Sequence, residues 1–372
     1  MVNLDLHSSY LTGNPQITFF KSVYRKHTNF SIETNKLTFN GNNNFGGNVS
    51  CTIPKGADLL YKIYVKVELS KVEVSLSSGS AKAFRWLNWI GHKLIKKAEV
   101  KISGNVIDTQ KGEWLHIRNE LCQKDEKAAA YAEMVGNVPG LTQIQSIHNS
   151  SGSEINSQKL VDPYTLFIPL QFWFCRNPGL SIPIVSINQP VYVDVEFENL
   201  DNLIWATEES STELLVQTGK NIFGNNPPTM TATLYSESIF LDTDEKMKFM
   251  NSDHEYLIET VFDSGDDTIN SNSTQFTHKM AYNFPIKELI WVIQPQDFTL
   301  KSWCQSRGGF QWFNFSDSFD YSGFTGTPEN NFGPGLSGGR KQQNLWFGLP
   351  SVKLPYDTNT FEPKINSLDY SS

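Results

Sequence analysis

The side chains with the widest chemical reach in this chain are seven histidines and four cysteines, and their spacing assigns them no shared reaction. His7, His27, His92, His116, His148, His254 and His278 never fall at the interval that sets two imidazoles on one helical face around a metal, and no HExxH occurs. Cys51, Cys122, Cys175 and Cys304 lie far apart without a CxxC pair. They form neither a sequence-local zinc site nor a secreted disulfide framework. They read as buried free thiols of a protein made in a reducing compartment.

Other constellations fare no better. "GPGLSGG" at 333–339 formally contains G-x-G-x-x-G, but the pyrophosphate fingerprint needs a strand before it and a helix after it. Here the flanks are "ENNF" and "RKQQN", so the run reads as a loop. Asp253, His254 and Glu255 bunch ionisable groups, yet on an alternating strand His254 faces away from both neighbours and marks a strand start. In "DTDEKMKFMN", Asp242 and Asp244 lack the loop glycine and remaining ligands of a calcium site. A helix with Asp242 as cap and Glu245 closing a reciprocal box is the better reading, with Asp244 and Glu245 at its positive end. Sequons occur at Asn29, Asn48, Asn149, Asn272 and Asn314 and arise readily in an Asn-rich chain. There is no nucleophile elbow, no Cys/His nucleophile, and no carboxylate pair that can be singled out. No cofactor or metal is expected, and the chain reads as a building block or binder, not an enzyme.

The elements that must carry these residues are mostly strands. In "YKIYVKVEL", Ile63, Val65, Val67 and Leu69 alternate with Lys62, Tyr64, Lys66 and Glu68. In "VYVDVEFE", Val191, Val193, Val195 and Phe197 alternate with Tyr192, Asp194, Glu196 and Glu198. A period of two with one wet face marks half-buried antiparallel strands. "AEVKISGNVID" adds two strands around a turn at Ser103, Gly104 and Asn105, and 31–40, 48–53, 164–170 and 231–241 are further candidates. Two helices interrupt them: the "DTDEKMKFMN" segment, and "GEWLHIRNELCQK" with Trp114, Ile117 and Leu121 on one face and Leu115 flanking. After the first of these, "EYLIETVFDSG", "TQFTHKMAYNF" and "KELIWVIQP" read as three more strands, and beyond Gln296 the periodicity fails.

Composition agrees. A chain of 372 residues, 39% apolar and 19% charged, has room for two domains and a core. The 25 Phe and 9 Trp beside 25 Gly and 17 Pro suit strands and turns. A net charge of −8 argues against direct nucleic-acid binding. No run of about eighteen apolar residues spans a bilayer. The opening "LTGNPQITFFKSVYRKHTNF" is too short and polar for a span, and its basic residues follow the apolar run, unlike a secretory signal. It reads as a docking arm.

That arm closely resembles the amino-terminal signature of the major capsid proteins of nucleocytoplasmic large DNA viruses. Four more stretches resemble the same family in the same order: "LNWIGHKLIKKAEVKISGNVID", "FIPLQFWFCRNPGLSIPIVSINQPVYVDVEF", "SIFLDTDEKMKFMNSDHEYLIE" and "FPIKELIWVIQ". The resemblance implies an all-β double jelly roll, two antiparallel β-sandwiches with a few short helices. Three copies would form a pseudo-hexagonal capsomer that tiles an icosahedral shell over an internal membrane. The implied divisions are an arm at 1–29, a first jelly roll at 30–242, a connector helix at 243–252 and a partial second jelly roll at 253–372. Implied partners are copies of itself in a homotrimer, neighbouring capsomers, minor capsid proteins and the internal viral membrane. The implied location is the virion capsid, after assembly in the host cytoplasm. Arm residues Leu11, Pro15, Ile17, Phe19, Phe20, Lys21, Tyr24, Arg25 and Lys26 become the assembly candidates. Ile17, Phe19 and Phe20 would bury apolar area; Lys21, Arg25 and Lys26 would meet acidic minor proteins or lipid head groups, or remain a solvated patch. Asp242, Asp244, Glu245 and His254 become the connector candidates.

The resemblance ends near Gln294, after the third or fourth of the eight strands expected in the second sandwich, and the tail "FEPKINSLDYSS" matches nothing in the family. A piece of an interrupted gene and a long outer loop with the rest missing are jointly the favoured explanations, ahead of a divergent paralogue. The rival class is a β-sandwich carbohydrate-binding protein or glycan-processing enzyme, with "FQWFNFSDSF" supplying an aromatic and carboxylate groove. A minor or penton capsid protein fits less well, since those have a single jelly roll and no connector.

Overall fold

A computed structural model describes residues 29–320, apart from 79, 150–152, 210–213, 218–221, 224–225, 270–274, 281, 283, 302–303, 305–307 and 317–319. The assembly candidates from Leu11 to Lys26 and the glycine-rich run at 333–339 lie outside the described residues.

The alternating stretches form strands, and the strands form two facing sheets. In chain order they are β1 (Phe30–Leu37), β2 (Asn40–Gly41), β3 (Asn48–Thr52), β4 (Leu59–Leu69), β5 (Val72–Leu76), β6 (Ala81–Trp86), β7 (Ile95–Ile102) and β8 (Asn105–Gln110). Then follow β9 (Gln145–His148), β10 (Ile155–Val161), β11 (Tyr164–Pro169), β12 (Val191–Phe197), β13 (Ile204–Glu209), β14 (Leu214–Gln217) and β15 (Met230–Leu241). One sheet runs β1-β15-β4-β11 and the other β2-β3-β12-β7-β8, with all pairs antiparallel. Counting β1, β3, β4, β7, β8, β11, β12 and β15 as first to eighth, the sheets read 1-8-3-6 and 2-7-4-5. That is the wiring of a jelly roll, in which two Greek keys fold over one core.

Register explains the core. Cys51, Val193 and Val100 stand in one row across the second sheet, and Leu234, Val65 and Ile168 in one row across the first. All six are buried, and a one-residue slip would turn each row to water. Each buried aliphatic side chain contributes about 1.5–3 kcal/mol before ordering costs. The β7–β8 hairpin closes on Ser103 and Gly104, with φ of 55° and 81°, the two positive values of a tight primed turn. Asn105, expected in the turn, begins β8. The remaining strands, β10-β5 and β14-β13-β6-β9, come from excursions between the main strands.

Helices are short: α1 (Ile90–Leu94), α2 (Gly112–Cys122), α3 (Asp125–Val135), α4 (Pro139–Thr142), α5 (Trp173–Arg176) and α6 (Thr243–Asn251). Helix α2 stands where expected but turns a different face inward. It buries Gly112, Leu115 and His116, while Leu121 is 61% exposed. Close approach to α1 sets that rotation: a Cβ on Gly112 would lie 2.2 Å from the His92 carbonyl oxygen, so only glycine lets the helices touch. Helix α3 was not expected. Its alanine-rich sequence favours helix, and it ends on Gly136 at φ 78°, with bonds from the Gly136 and Asn137 amides to Glu133 and Ala132.

The three strands expected after α6 do not form among the described residues. The described residues between 253 and 295 run without a ladder, and Leu257 and Trp291 are 91% and 78% exposed. A strand exists through its partner, and no described neighbour supplies one. The chain then compacts again: a 3-10 turn at Gln296–Thr299 precedes a stretch in which Phe298, Cys304 and Phe310 are buried. The described chain is mostly β with few short helices, as the fold expectation required.

Candidate functional site

Helix α6 is tied to the sandwich at both of its ends. Asp242 caps α6, its Oδ1 accepting from the Thr243 amide at 2.8 Å. The expected reciprocal box does not close, because the Asp242 amide already donates to the Asn29 carbonyl at 3.2 Å. Glu245 turns instead to Lys248, Oε1 to Nζ 2.8 Å, while Asp244 adds charge to the first turn. One turn in, Lys246 Nζ lies 2.8 Å from Asp58 Oδ1, and Asp58 Oδ2 accepts from the Leu241 amide at 2.9 Å. At the far end the Phe249 carbonyl accepts from Ser186 Oγ and from His254 Nε2, each at 2.7 Å. His254 thus ties down a helix terminus and does not start a strand. Asp242, Asp244 and Glu245 stand at the start of α6 and His254 beyond its end, with Glu245 in another role than the sequence suggested.

Beyond α6, residues 259–263 strap back over α5 and β8. Glu259 pairs with Arg176 at 3.7 Å and with Lys287, Asp263 pairs with Lys111, and the Val261 amide donates to Asp108 Oδ1 at 3.3 Å. Asp108 is 2% exposed, and burial pushes its carboxyl up to about 6. Arg176 also donates Nε to the Gln171 carbonyl at 3.1 Å, and Arg118 Nε donates to Gln171 Oε1 at 3.2 Å.

A third cluster was invisible in the sequence. Residues 92 and 116 are far apart in the chain, yet their rings stand 5.5 Å apart between α1 and α2. Trp89 stacks on His92 at 5.3 Å and Phe313 on His116 at 4.5 Å. No periodicity links these positions; the nearest signal is Gly112, whose missing side chain lets the two helices approach. The same arrangement spends the aromatics that a glycan groove would need. Phe310 is buried against Trp312, whose Nε1 donates to the Asn202 carbonyl at 2.7 Å, while Lys93 Nζ sits 3.9 Å from the Trp312 ring centre. Carboxylates of the second sheet are likewise engaged, with Lys101 bridging Asp194 at 2.7 Å and Glu99 at 3.3 Å.

Among the described residues, no group of three or more His, Cys, Asp or Glu is placed to hold a metal, and no helix is long and apolar enough to cross a membrane. Cys51 and Cys304 are buried thiols outside any disulfide, but Cys122 is exposed and Cys175 half-buried, so burial holds for only some of the thiols. Of the sequon residues, Asn149 is buried, its Nδ2 donating to the Leu76, Ser77 and Ser153 carbonyls.

A family model described as the major capsid protein N-terminus matches residues 18–242, ending at the residue that caps α6. The major capsid protein of Phaeocystis pouchetii virus is 38% identical over 330 residues, covering 84% of this chain and 62% of the relative. That of Pyramimonas orientalis virus is 40% identical over 284 residues, covering 76% and 61%. Among solved structures, the Faustovirus major capsid protein overlays with a TM-score of 0.45 at 14% identity, covering 67% of this chain and 60% of that one. The chain spans about three-fifths of the length of these two viral relatives. With the family match running the length of the jelly roll to the cap of α6, the chain belongs to the major capsid protein family of the nucleocytoplasmic large DNA viruses.

Proposed function

We propose that this chain is a structural protein without catalytic activity, a subunit of trimeric pseudo-hexagonal capsomers that tile an icosahedral virion shell. The observation that carries the reading is that the family match, 18–242, contains the whole sandwich, from Phe30 to Leu241. A closed jelly roll suits a tile: it hides most strand edges within two packed sheets and leaves its loops free for contacts.

On this reading the chain divides into an arm at 1–29, the first jelly roll at 30–242, a connector at 243–252 and the beginning of a second jelly roll at 253–372. The exposed apolar side chains of 257–293 belong in that second sandwich. The arm, through Leu11, Pro15, Ile17, Phe19, Phe20 and Tyr24, packs on its own subunit or a neighbour. Lys21, Arg25 and Lys26 face acidic minor capsid proteins or the internal viral membrane, with no direct contact to nucleic acid. Assembly takes place in the host cytoplasm, and the product resides in the virion. Light scattering on the purified chain tests this directly. A mass three times the 42.1 kDa of one chain is expected; a monomer that binds a glycan array would replace the reading with the carbohydrate-binding one.

A further inference from the structure

We propose that His92 and His116 form a proton-sensitive latch, and that charging either imidazole detaches residues 310–315 from helices α1 and α2.

The geometry comes first. His92 is fully buried and His116 is 5% exposed. Phe313 stacks on His116 and meets His92 edge-on at 6.1 Å, and Phe315 lies 6.2 Å from His116. So one aromatic segment, some two hundred residues further along the chain, is seated on two imidazoles. Nδ1 of both rings is buried without a hydrogen-bond partner, which suits a neutral ring and offers nothing to a cationic one.

The surrounding charges do not help a proton to stay. From α1, Lys93 is the neighbouring charged group, itself positive and paired with Glu113 at 3.4 Å. From α2, Glu113 is engaged by that lysine, and Arg118 carries a like charge towards Gln171. From α3, Tyr131 presents its hydroxyl to His92 Nε2 at 2.9 Å, and Glu133 acts on Tyr164. The 310–316 stretch contributes no ionisable group, and Asp320 is engaged by Asn88 Nδ2 at 2.7 Å. Each imidazolium would face the other across 5.5 Å. A cation against the Phe313 face recovers part of that cost, but not the loss of water around two like charges.

Direction follows from linkage. Burial pushes His116 down to about 4, and burial together with His116 holds His92 well below the usual imidazole range. In a detached state both return towards about 6.5. The latch is therefore fully closed above that value and weakens as pH falls towards 4, by about tenfold in closed-to-open ratio per pH unit for one histidine. Where both charge, the loss approaches about a hundredfold per unit.

Hydrogen exchange on the 372-residue chain between pH 7.5 and 4.5, corrected for the intrinsic rate, reads the latch in peptides covering 309–316. The core strand β12 (191–197) serves as the internal reference. Opening of 309–316 is expected to rise by more than about tenfold per unit below pH 6.5, approaching a hundredfold, while β12 stays protected. His116→Phe keeps the stacking surface and removes one proton site, so its slope should be shallower. Flat protection of 309–316 down to pH 4.5, loss of protection in both peptides together, or an unchanged slope in His116→Phe would overturn the proposal. If that variant does not fold, the wild-type series decides by itself.

Discussion

Lys246 Nζ stands 2.8 Å from Asp58 Oδ1, and the aspartate side chain is 4% exposed while the lysine is 43% exposed. The pair fastens the first turn of α6 to the loop before β4. Asp58 also receives the Leu241 amide, so one carboxylate fixes both the end of β15 and the helix that follows. The direction in which the chain leaves the sandwich is set there.

Lys246→Ala leaves that carboxylate buried with the amide but without its cation. A loss of about 1–3 kcal/mol in urea unfolding is expected, since an unpaired buried charge costs more than an exposed pair returns. Adding Asp58→Asn should recover much of the loss, because the asparagine oxygen still accepts from Leu241. A double variant no more stable than Lys246→Ala would show that the ion pair does not hold α6 to the sandwich.

Asp108 supplies a pH prediction. Its carboxyl sits at about 6 in the folded chain against about 3.9 unfolded. A raised carboxyl means the folded state resists its ionisation, so its contribution favours folding below about 3.9 and is lost as pH rises through 6. Asp108→Asn keeps an acceptor for the Val261 amide and removes the charge. It should raise stability by roughly 3 kcal/mol at pH 7.5 and leave it unchanged near pH 3.5. Equal denaturation midpoints for the two proteins at pH 7.5 would refute the assignment.

How much of this was legible in the residues divides along physical lines. Strands with one wet face announce themselves, because burial repeats every second residue: Ile63 to Leu69 and Val191 to Phe197 took the predicted faces. The rotation of α2 was not legible, since it depends on Gly112 meeting the His92 carbonyl, a contact between elements. The capping box failed for a similar reason, its amide being taken by Asn29 from the start of β1. The His92–His116 pair left no local signal at all. The stretches after α6 carry strand-like sequence without a described partner, and a ladder cannot be read from one side.

Glycines 104 and 136 separate backbone strain from crowding. Both have positive φ, 81° and 78°. A Cβ on Gly104 meets nothing within 4 Å, whereas on Gly136 it would lie 2.6 Å from Leu166 Cδ2 and 2.8 Å from Ile90 Cγ2. Gly104→Ala should cost about 1 kcal/mol and Gly136→Ala about 2–4 kcal/mol, strain plus overpacking. Comparable losses in thermal unfolding would contradict the packing of α3 against β11.

Asn149 tests a sequon against a fold. Its buried amide serves three carbonyls, so Asn149→Ala should cost about 1–3 kcal/mol. Mass spectrometry of protein from a glycosylating host should find that site unmodified. A glycan on Asn149 in folded protein would be incompatible with this loop.

Single-particle electron microscopy of the purified assembly bears most directly on the claim that the jelly roll's shape, repeated, is what the protein does. Threefold particles with a six-cornered outline are predicted, each corner density accepting a sandwich with the 1-8-3-6 and 2-7-4-5 wiring. Isolated monomers, or closed two-fold dimers, would contradict it.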